Sequence, residues 1–485
     1  MERCGTGPRR RSIRNRGARV QRITLGALMM SALLLAGCGG GLGSFTPRAA
    51  NQTAPASSAR HFKSLRDGVA AGDLRLACGP VGAGRARCSA VVLTAGGAAA
   101  ATAPVAPAVG PALPAGYGPA DLQSAYHLTE AAENGGDDAL IAIVDAFDDP
   151  HAERDLAVYR ARFGLPPCTT ANRCFQKVNQ DGRARPMPAV PTGDTVGWTV
   201  ETSLDLDMVS ANCPRCRILL VEANDDNLSN LGTAVNEAAE MGANAISNSY
   251  VALESATDPL PLAAGGVLPY YVHPNVAVVA GAGDFDFAFS GPTLGPLIPA
   301  AFPTVVTVGG TQLIRDPSSP RGWQESAWDG TGSGCSAYEA MPPWEQADPA
   351  CVGSSTDSAG RTTTFPSRIY ADVAYVASAF TGVAVHDTDG QLGPTGWGVV
   401  GGTSVGAPAI AAIYGLAGYA RSEGDAADRA GGLPFPAAKL YRSKRALFDI
   451  TTGSNGLCSP AFLCTAGPGY DGPTGNGTPN GIGAF

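Results

Sequence analysis

The residues of this chain that could do chemistry form three groups: a serine after a glycine-rich turn, two carboxylates one helical turn apart, and an isolated Gly-Asp. Gly402-Thr403-Ser404-Val405-Gly406-Ala407-Pro408 follows the strand-like run Trp397 to Val400 and opens the helix-like run Ala409 to Ile413. A serine at the first turn of a helix presents its hydroxyl beside backbone N–H groups that lack intrahelical partners, a position that suits a nucleophile. A plain helix cap uses serine in the same place, and the local sequence does not separate the two roles. Glu201 and Asp205 lie at i and i+4 in Trp198 to Val209. A helix there projects both from one face, with Leu204 and Met208 on its buried side and Asp207 turned away. Paired carboxylates more often make a solvated face, but no Lys or Arg occurs from Trp198 to Pro214.

A nucleophilic serine needs a base and a third group to orient that base. Of the five histidines, His61 lies in the leader, His127 before the first strand and His273 in a Pro-rich loop. His151 opens the connection after Asp145, and His386 sits in a strand-like run. None stands in a His-Gly-Thr context opening a helix, so a histidine triad is not expected and carboxylates take its place.

The elements that must position these groups alternate. Leu140 to Val144 is an apolar run ending in Asp145, as a parallel strand buried on both faces requires. His151 to Phe163 and Leu228 to Met241 have helical spacing. Ile218 to Val221, Ala245 to Ser249, Val276 to Ala280, Val305 to Val308, Val383 to Val385 and Gly398 to Val400 read as further strands. This alternation predicts an α/β fold, a doubly wound parallel sheet flanked by helices. Chemistry in such sheets gathers at the carboxyl ends of strands, where Asp145, Asn248, Asp284 and Ser404 fall.

Glu201-x-x-x-Asp205 on a helix, Ala282-Gly283-Asp284 after a buried strand, and Gly402-Thr-Ser404-x-x-x-Pro408 together resemble the sedolisin family of serine-carboxyl peptidases. The similarity runs from about Tyr117 to the C-terminus. It implies a subtilisin-like fold and endopeptidase activity, with Ser404 as nucleophile, Glu201 as general base and later acid, Asp205 as its partner and Asp284 at the oxyanion. Phe448-Asp449-Ile450 and Ala466-Gly467-Pro468-Gly469-Tyr470-Asp471 resemble the family's calcium site. That implies one structural Ca2+ held by Asp449, Asp471 and the carbonyls of Ile450, Gly467 and Gly469. Three departures stand out, the first being a region before Tyr117 much shorter than the family's usual folded prosegment. Asp284 is followed by Phe285-Asp286 rather than Ser-Gly, which makes Asp286 a second oxyanion candidate. Ser247 to Val251 lacks the Trp-Gly often found where substrate pairs. A carboxylate base works at mildly acidic pH, and an aspartate donates to an oxyanion only while protonated. The expected profile is a bell with its optimum around pH 3–5.

The rest of the chain bounds the setting. Its 485 residues carry a net charge of −8, with eight Arg and one Glu in residues 1–37, so the body is strongly acidic and nucleic acid is not expected as a partner. The Arg-rich start, the apolar run Ile23 to Gly37 and Leu35-Ala36-Gly37-Cys38 read as a signal peptide over 1–37. The last four residues resemble a bacterial lipobox, implying export, a lipidated Cys38 and a membrane tether. Residues 38–116 read as a tether, a short prosegment-like region and an Ala/Pro linker, with the peptidase-like domain over 117–485. Ten cysteines fall in local pairs: Cys78/Cys88, Cys168/Cys174, Cys213/Cys216, Cys335/Cys351 and Cys458/Cys464, which suits disulfides in an exported chain. Protein or peptide substrates are the expected partners, and the chain is expected to act as a monomer. The competing reading is an inactive surface binding protein on a peptidase scaffold.

Overall fold

The computed structural model describes residues 63–100, 114–284, 296–357, 359–418 and 435–485. Residues 1–37, Cys38 and Asp286 lie outside them. Fifteen strands and four longer helices carry the argument. The strands are β1 (Leu74–Leu76), β2 (Arg87–Cys88), β3 (Val91–Leu93), β4 (Leu140–Ala146), β5 (Phe175–Asn179), β6 (Arg217–Ala223), β7 (Ala245–Asn248) and β8 (Tyr250–Leu253), then β9 (Ala277–Gly281), β10 (Leu297–Ile298), β11 (Val306–Arg315), β12 (Trp323–Ala327), β13 (Val373–Val376), β14 (Val383–His386) and β15 (Trp397–Gly401). The helices are α1 (Ala152–Arg162), α2 (Gly197–Asn212), α3 (Leu228–Glu240) and α4 (Gly406–Ala417).

An eight-stranded sheet has the order β12-β11-β9-β7-β4-β6-β5, with β13 also pairing β11. All its pairings are parallel except that of β12 at the edge. The register sets Ile143 beside Leu220 and Ser247. Six of the seven residues of β4 are buried, because helices cover the sheet and leave no polar face to alternate. α3 packs on β6 and β4, while α2 and α4 pack on each other and on β4. This is the doubly wound α/β architecture expected from the alternation.

All 16 residues of α2 are buried. It has no charge other than its three carboxylates, and a helix apolar all round can be enclosed by neighbours. Burying an ionised carboxylate costs several kcal/mol per ion, so this helix sets the electrostatics of everything near it.

Two strands depart from expectation. β14 and β15 form a separate antiparallel sheet of order β1-β3-β15-β14 rather than joining the parallel one. Val400 pairs with Val383 on one side and Val92 on the other. Apolar runs predict strands but not direction, and the loop between these two is too short for the crossover that parallel neighbours need. Residues 61–485 form one compact unit, so Tyr117 is not a boundary in the packing. The segment before it supplies β1, β2 and β3, and β2 pairs with β8. All five local cysteine pairs form disulfides. Among the described residues, no helix is long and apolar enough to cross a membrane.

Candidate active site

Ser404 stands in a single 3-10 turn (Thr403–Val405) between β15 and α4, fully buried. Gly402 before it has φ 101°, a conformation that side chains other than glycine's rarely adopt. A methyl group there would also lie 2.0 Å from the Ser89 carbonyl oxygen. Glycine is required twice over. The Ser404 hydroxyl donates to the Ser249 carbonyl at 3.4 Å.

α2 brings Glu201 and Asp205 to this serine, both fully buried. Asp205 accepts from the Ser249 hydroxyl at 2.7 Å and from the Ser247 hydroxyl at 3.3 Å, both at the carboxyl end of β7. Glu201 has no conventional hydrogen bond. Burial raises it well above the usual carboxylate range, and the charges of Asp205 and Asp145 raise it further, against a nearby Ser404 hydroxyl that lowers it. Asp205 is likewise raised by burial and then by Asp145, against its two serine donors. Asp145, at the end of β4, is pushed up to about 7 by burial, with the Thr202 hydroxyl opposing. Three carboxylates without a cation cannot all ionise together, so the group shares protons.

Asp284 follows β9. One of its oxygens accepts from the Thr403 amide at 2.7 Å and the Thr403 hydroxyl at 2.8 Å, and that hydroxyl in turn accepts from the Gly283 amide at 3.0 Å. The other oxygen, Oδ2, is buried without a partner, and a methyl on Gly402 would lie 2.5 Å from it. Burial pushes Asp284 up to about 7, opposed by the Thr403 donors and the charge of Arg87. Its unpartnered oxygen is aimed at the face of Gly402.

The structure therefore brings together Ser404, Glu201, Asp205 and Asp284 as the sequence pattern requires. Asp207 points elsewhere, accepting from the His386 amide at 3.0 Å. His151 pairs with Asp389 at 2.7 Å, and the His386 ring packs on Trp397. Sequence reasoning gave no role to Ser247 and Ser249, which fix Asp205, nor to Thr403, which fixes Asp284. Asp145 was marked only by its place at a strand end.

Asp449 and Asp471 converge on one loop cluster. Asp449 accepts from the Gly469 amide at 3.0 Å and Asp471 from the Gly467 amide at 3.0 Å. Burial pushes Asp471 up to about 6, with the nearby charge of Asp449 contributing. The carbonyls of Ile450, Gly467 and Gly469 accept no hydrogen bond among the described residues.

A buried serine flanked by carboxylates at the carboxyl end of a doubly wound sheet is an arrangement able to support nucleophilic attack with carboxylate proton transfer. No family model matches the chain. It is 31% identical over 389 residues to kumamolisin of Bacillus sp. (strain MN-32), covering 76% of this chain and 63% of that protein. It is 30% identical over 204 residues to xanthomonalisin of Xanthomonas sp. (strain T-22), covering 37% of this chain and 21% of that protein. The chain thus spans less than two thirds of the length of these relatives. Among solved structures it is similar to Pseudomonas sedolisin, a serine-carboxyl proteinase complexed with two molecules of pseudo-iodotyrostatin. That match has a TM-score of 0.56 and 20% identity, and covers 76% of this chain and 96% of that one. The chain is thus similar in sequence to the sedolisins kumamolisin and xanthomonalisin and similar in fold to Pseudomonas sedolisin.

Proposed function

We propose that the chain is a serine-carboxyl endopeptidase that hydrolyses peptide bonds in acid. One observation carries the reading. Ser404, the carboxylates of α2 and the unpartnered oxygen of Asp284 arrive from three remote segments at one buried point. Ser404 Oγ attacks the scissile carbonyl carbon and its proton passes to Glu201, which later delivers it to the leaving amine. Asp205, held by Ser247 and Ser249, shares a proton with Glu201 and keeps one oxygen of the pair free to accept. Protonated Asp284 donates to the oxyanion. Activity falls on the acid side once the whole Glu201 cluster is protonated. It falls again as pH rises through about 7, where Asp284 ionises.

Asp449, Asp471 and the three loop carbonyls form a hard-oxygen set that suits Ca2+, with water completing the shell. When bound, the ion neutralises two close carboxylates and pins the C-terminal loops. Export with a lipidated Cys38 and membrane tethering belong to the same reading, as does acting as a monomer on protein or peptide substrates.

The test is digestion of a denatured protein at pH 4 by the wild type, Ser404→Ala and Glu201→Gln. Activity in the wild type alone is expected. Equal activity in all three, or activity confined to pH 8, removes this mechanism.

A further inference from the structure

A second cluster of polar side chains lies where the segment between β4 and α1 meets the turn between β14 and β15. Asp149 and His151 come from the first, Asp387 and Asp389 from the second. One carboxylate oxygen of Asp149, one of Asp389 and a ring nitrogen of His151 all lie within 4.8 Å of one another. His151 Nδ1 is 2.7 Å from Asp389 Oδ1. Asp149 Oδ1 accepts from the His151 amide at 2.8 Å, which sets the short loop that carries both.

The remaining oxygens of this cluster are unsatisfied. Asp149 is 2% exposed, and its Oδ2 is buried without a hydrogen bond. Asp389 Oδ2 is in the same state. So is Oδ2 of the fully buried Asp387, whose other oxygen accepts from the Asp389 amide at 3.3 Å. Buried polar atoms without partners are costly and call for an occupant. The basic side chains alongside are committed elsewhere. Lys177 is held by Asp148, by Glu222 at 3.0 Å and by the Asp149 carbonyl, and Arg154 by Asp155 and Thr388. Burial pushes Asp149 up to about 8, opposed by the His151 amide, and the charges of Asp389 and Asp387 add to the rise.

Two carboxylates and an imidazole are a mixed oxygen and nitrogen set. Ca2+ and Mg2+ take shells of oxygen, whereas Zn2+ and its first-row neighbours bind carboxylate and imidazole together. Ligands at about 2.0–2.2 Å from a tetrahedral ion stand roughly 3.3–3.5 Å apart, so these three need to close by no more than about 1.5 Å. The His151 side chain is 39% exposed and that of Asp389 19%, which leaves a way in from solvent.

We propose that Asp149, His151 and Asp389 form a site for Zn2+ or a similar first-row divalent cation, separate from the C-terminal loops, with water as the fourth ligand. Asp387 is a positioning residue that holds the Asp389 backbone and adds negative charge behind it. On binding, the protons that the acids hold leave to solvent. The ion fastens the turn between β14 and β15 to the start of α1. β15 ends at Gly401, three residues before Ser404, so the ion braces the hairpin that leads into the serine turn. The site stands whether or not the chain cuts peptides.

The test uses the full chain as Ser404→Ala, freed of metal by chelation and then held in excess Ca2+ so that the C-terminal loops are supplied. Calorimetric titration with Zn2+ at pH 7 is expected to show one ion per chain. His151→Ala and Asp149→Asn should each weaken binding at least about 100-fold, while Asp471→Asn leaves it unchanged. Should Asp149→Asn fail to fold, the part-exposed His151 still gives a variant that reads the site. Co2+ in place of Zn2+ should give the visible absorption of a tetrahedral ion, lost in His151→Ala. Backbone amides of residues 387–396 should exchange with deuterium about tenfold more slowly with Zn2+ than without it. No Zn2+ bound in the presence of Ca2+, binding that survives His151→Ala, or equal loss in Asp471→Asn overturns the site. Zn2+ bound through His151 with exchange unchanged overturns the brace.

Discussion

Two buried acid clusters in this molecule are neutralised in opposite ways. In the first, Arg368 lies between Glu345 and Asp372, contacting Glu345 closely and Asp372 at 2.6 and 2.9 Å. Asp372 also accepts from the Thr307 amide at 2.7 Å and the Tyr441 hydroxyl at 2.8 Å. Burial pulls the Arg368 guanidinium down, yet the charges of Asp372 and Glu345 raise it well above its ordinary value. In the second, Glu201, Asp205 and Asp145 are just as buried but have hydroxyl donors in place of a guanidinium, and burial raises their pKa values; burial raises Glu345 too, to about 7, but there the charge of Arg368 opposes it. A fixed cation makes buried carboxylates structural. Without one, protons must do the neutralising, and protons can be moved. The difference separates a braced cluster from one whose neutralising charges are free to leave.

The largest test of that contrast is catalytic. Ser404→Ala and Glu201→Gln should each lower kcat by about 10^4-fold, as loss of a triad member does, while far-ultraviolet circular dichroism stays unchanged. The mirror experiment is Arg368→Met, which strands two buried carboxylates and should cost roughly 3–5 kcal/mol of stability. Its kcat per folded molecule should hold. If Arg368→Met cut kcat as deeply as Glu201→Gln, the two clusters would not differ in kind.

Asp284→Asn keeps a donor near the oxyanion but removes the titration. Rates at pH 4 should fall by about 10^2-fold or less, and the decline near pH 7 should vanish from the profile. A decline that persists would mean another group sets that limb.

Stability should also follow the protons. Asp145 and Asp284 sit near 7 and Asp149 near 8, the last raised by burial. Between about pH 4 and 8 the folded chain holds protons that the unfolded chain has released, so stability is greatest in acid and falls as pH rises. Thermal melting of Ser404→Ala should show Tm roughly 10 °C lower at pH 8 than at pH 5. A flat or rising Tm would mean these acids are ionised when folded. The smallest effect expected is from calcium: a chelator should lower Tm by about 5 °C, and Asp471→Asn should abolish that response.

Much of the site was legible because Glu201 and Asp205 are local to each other. One helical turn fixes their shared face, and the cation-free stretch around them points to an unusual environment. Asp284 was legible as a residue just past a buried strand. Asp145 was not assignable, because its part depends on where β4 ends relative to α2. The five disulfides could be read because their partners are close in sequence. β1 and β3 could not be read as sheet members. Each has three residues, and β3 meets its partner β15 about 300 residues later, a distance no local pattern spans. β14 and β15 were placed in the wrong sheet because an apolar run predicts a strand but not its direction.

Gly402 has a consequence for how this site tolerates variation. Its backbone geometry rules out a side chain, and so does the carbonyl of Ser89 lying against it. A gene can therefore keep Ser404, Glu201, Asp205 and Asp284 intact and still lose the geometry that assembles them through one changed codon two residues upstream of the serine. In similar chains, that glycine belongs on the checklist beside these four residues.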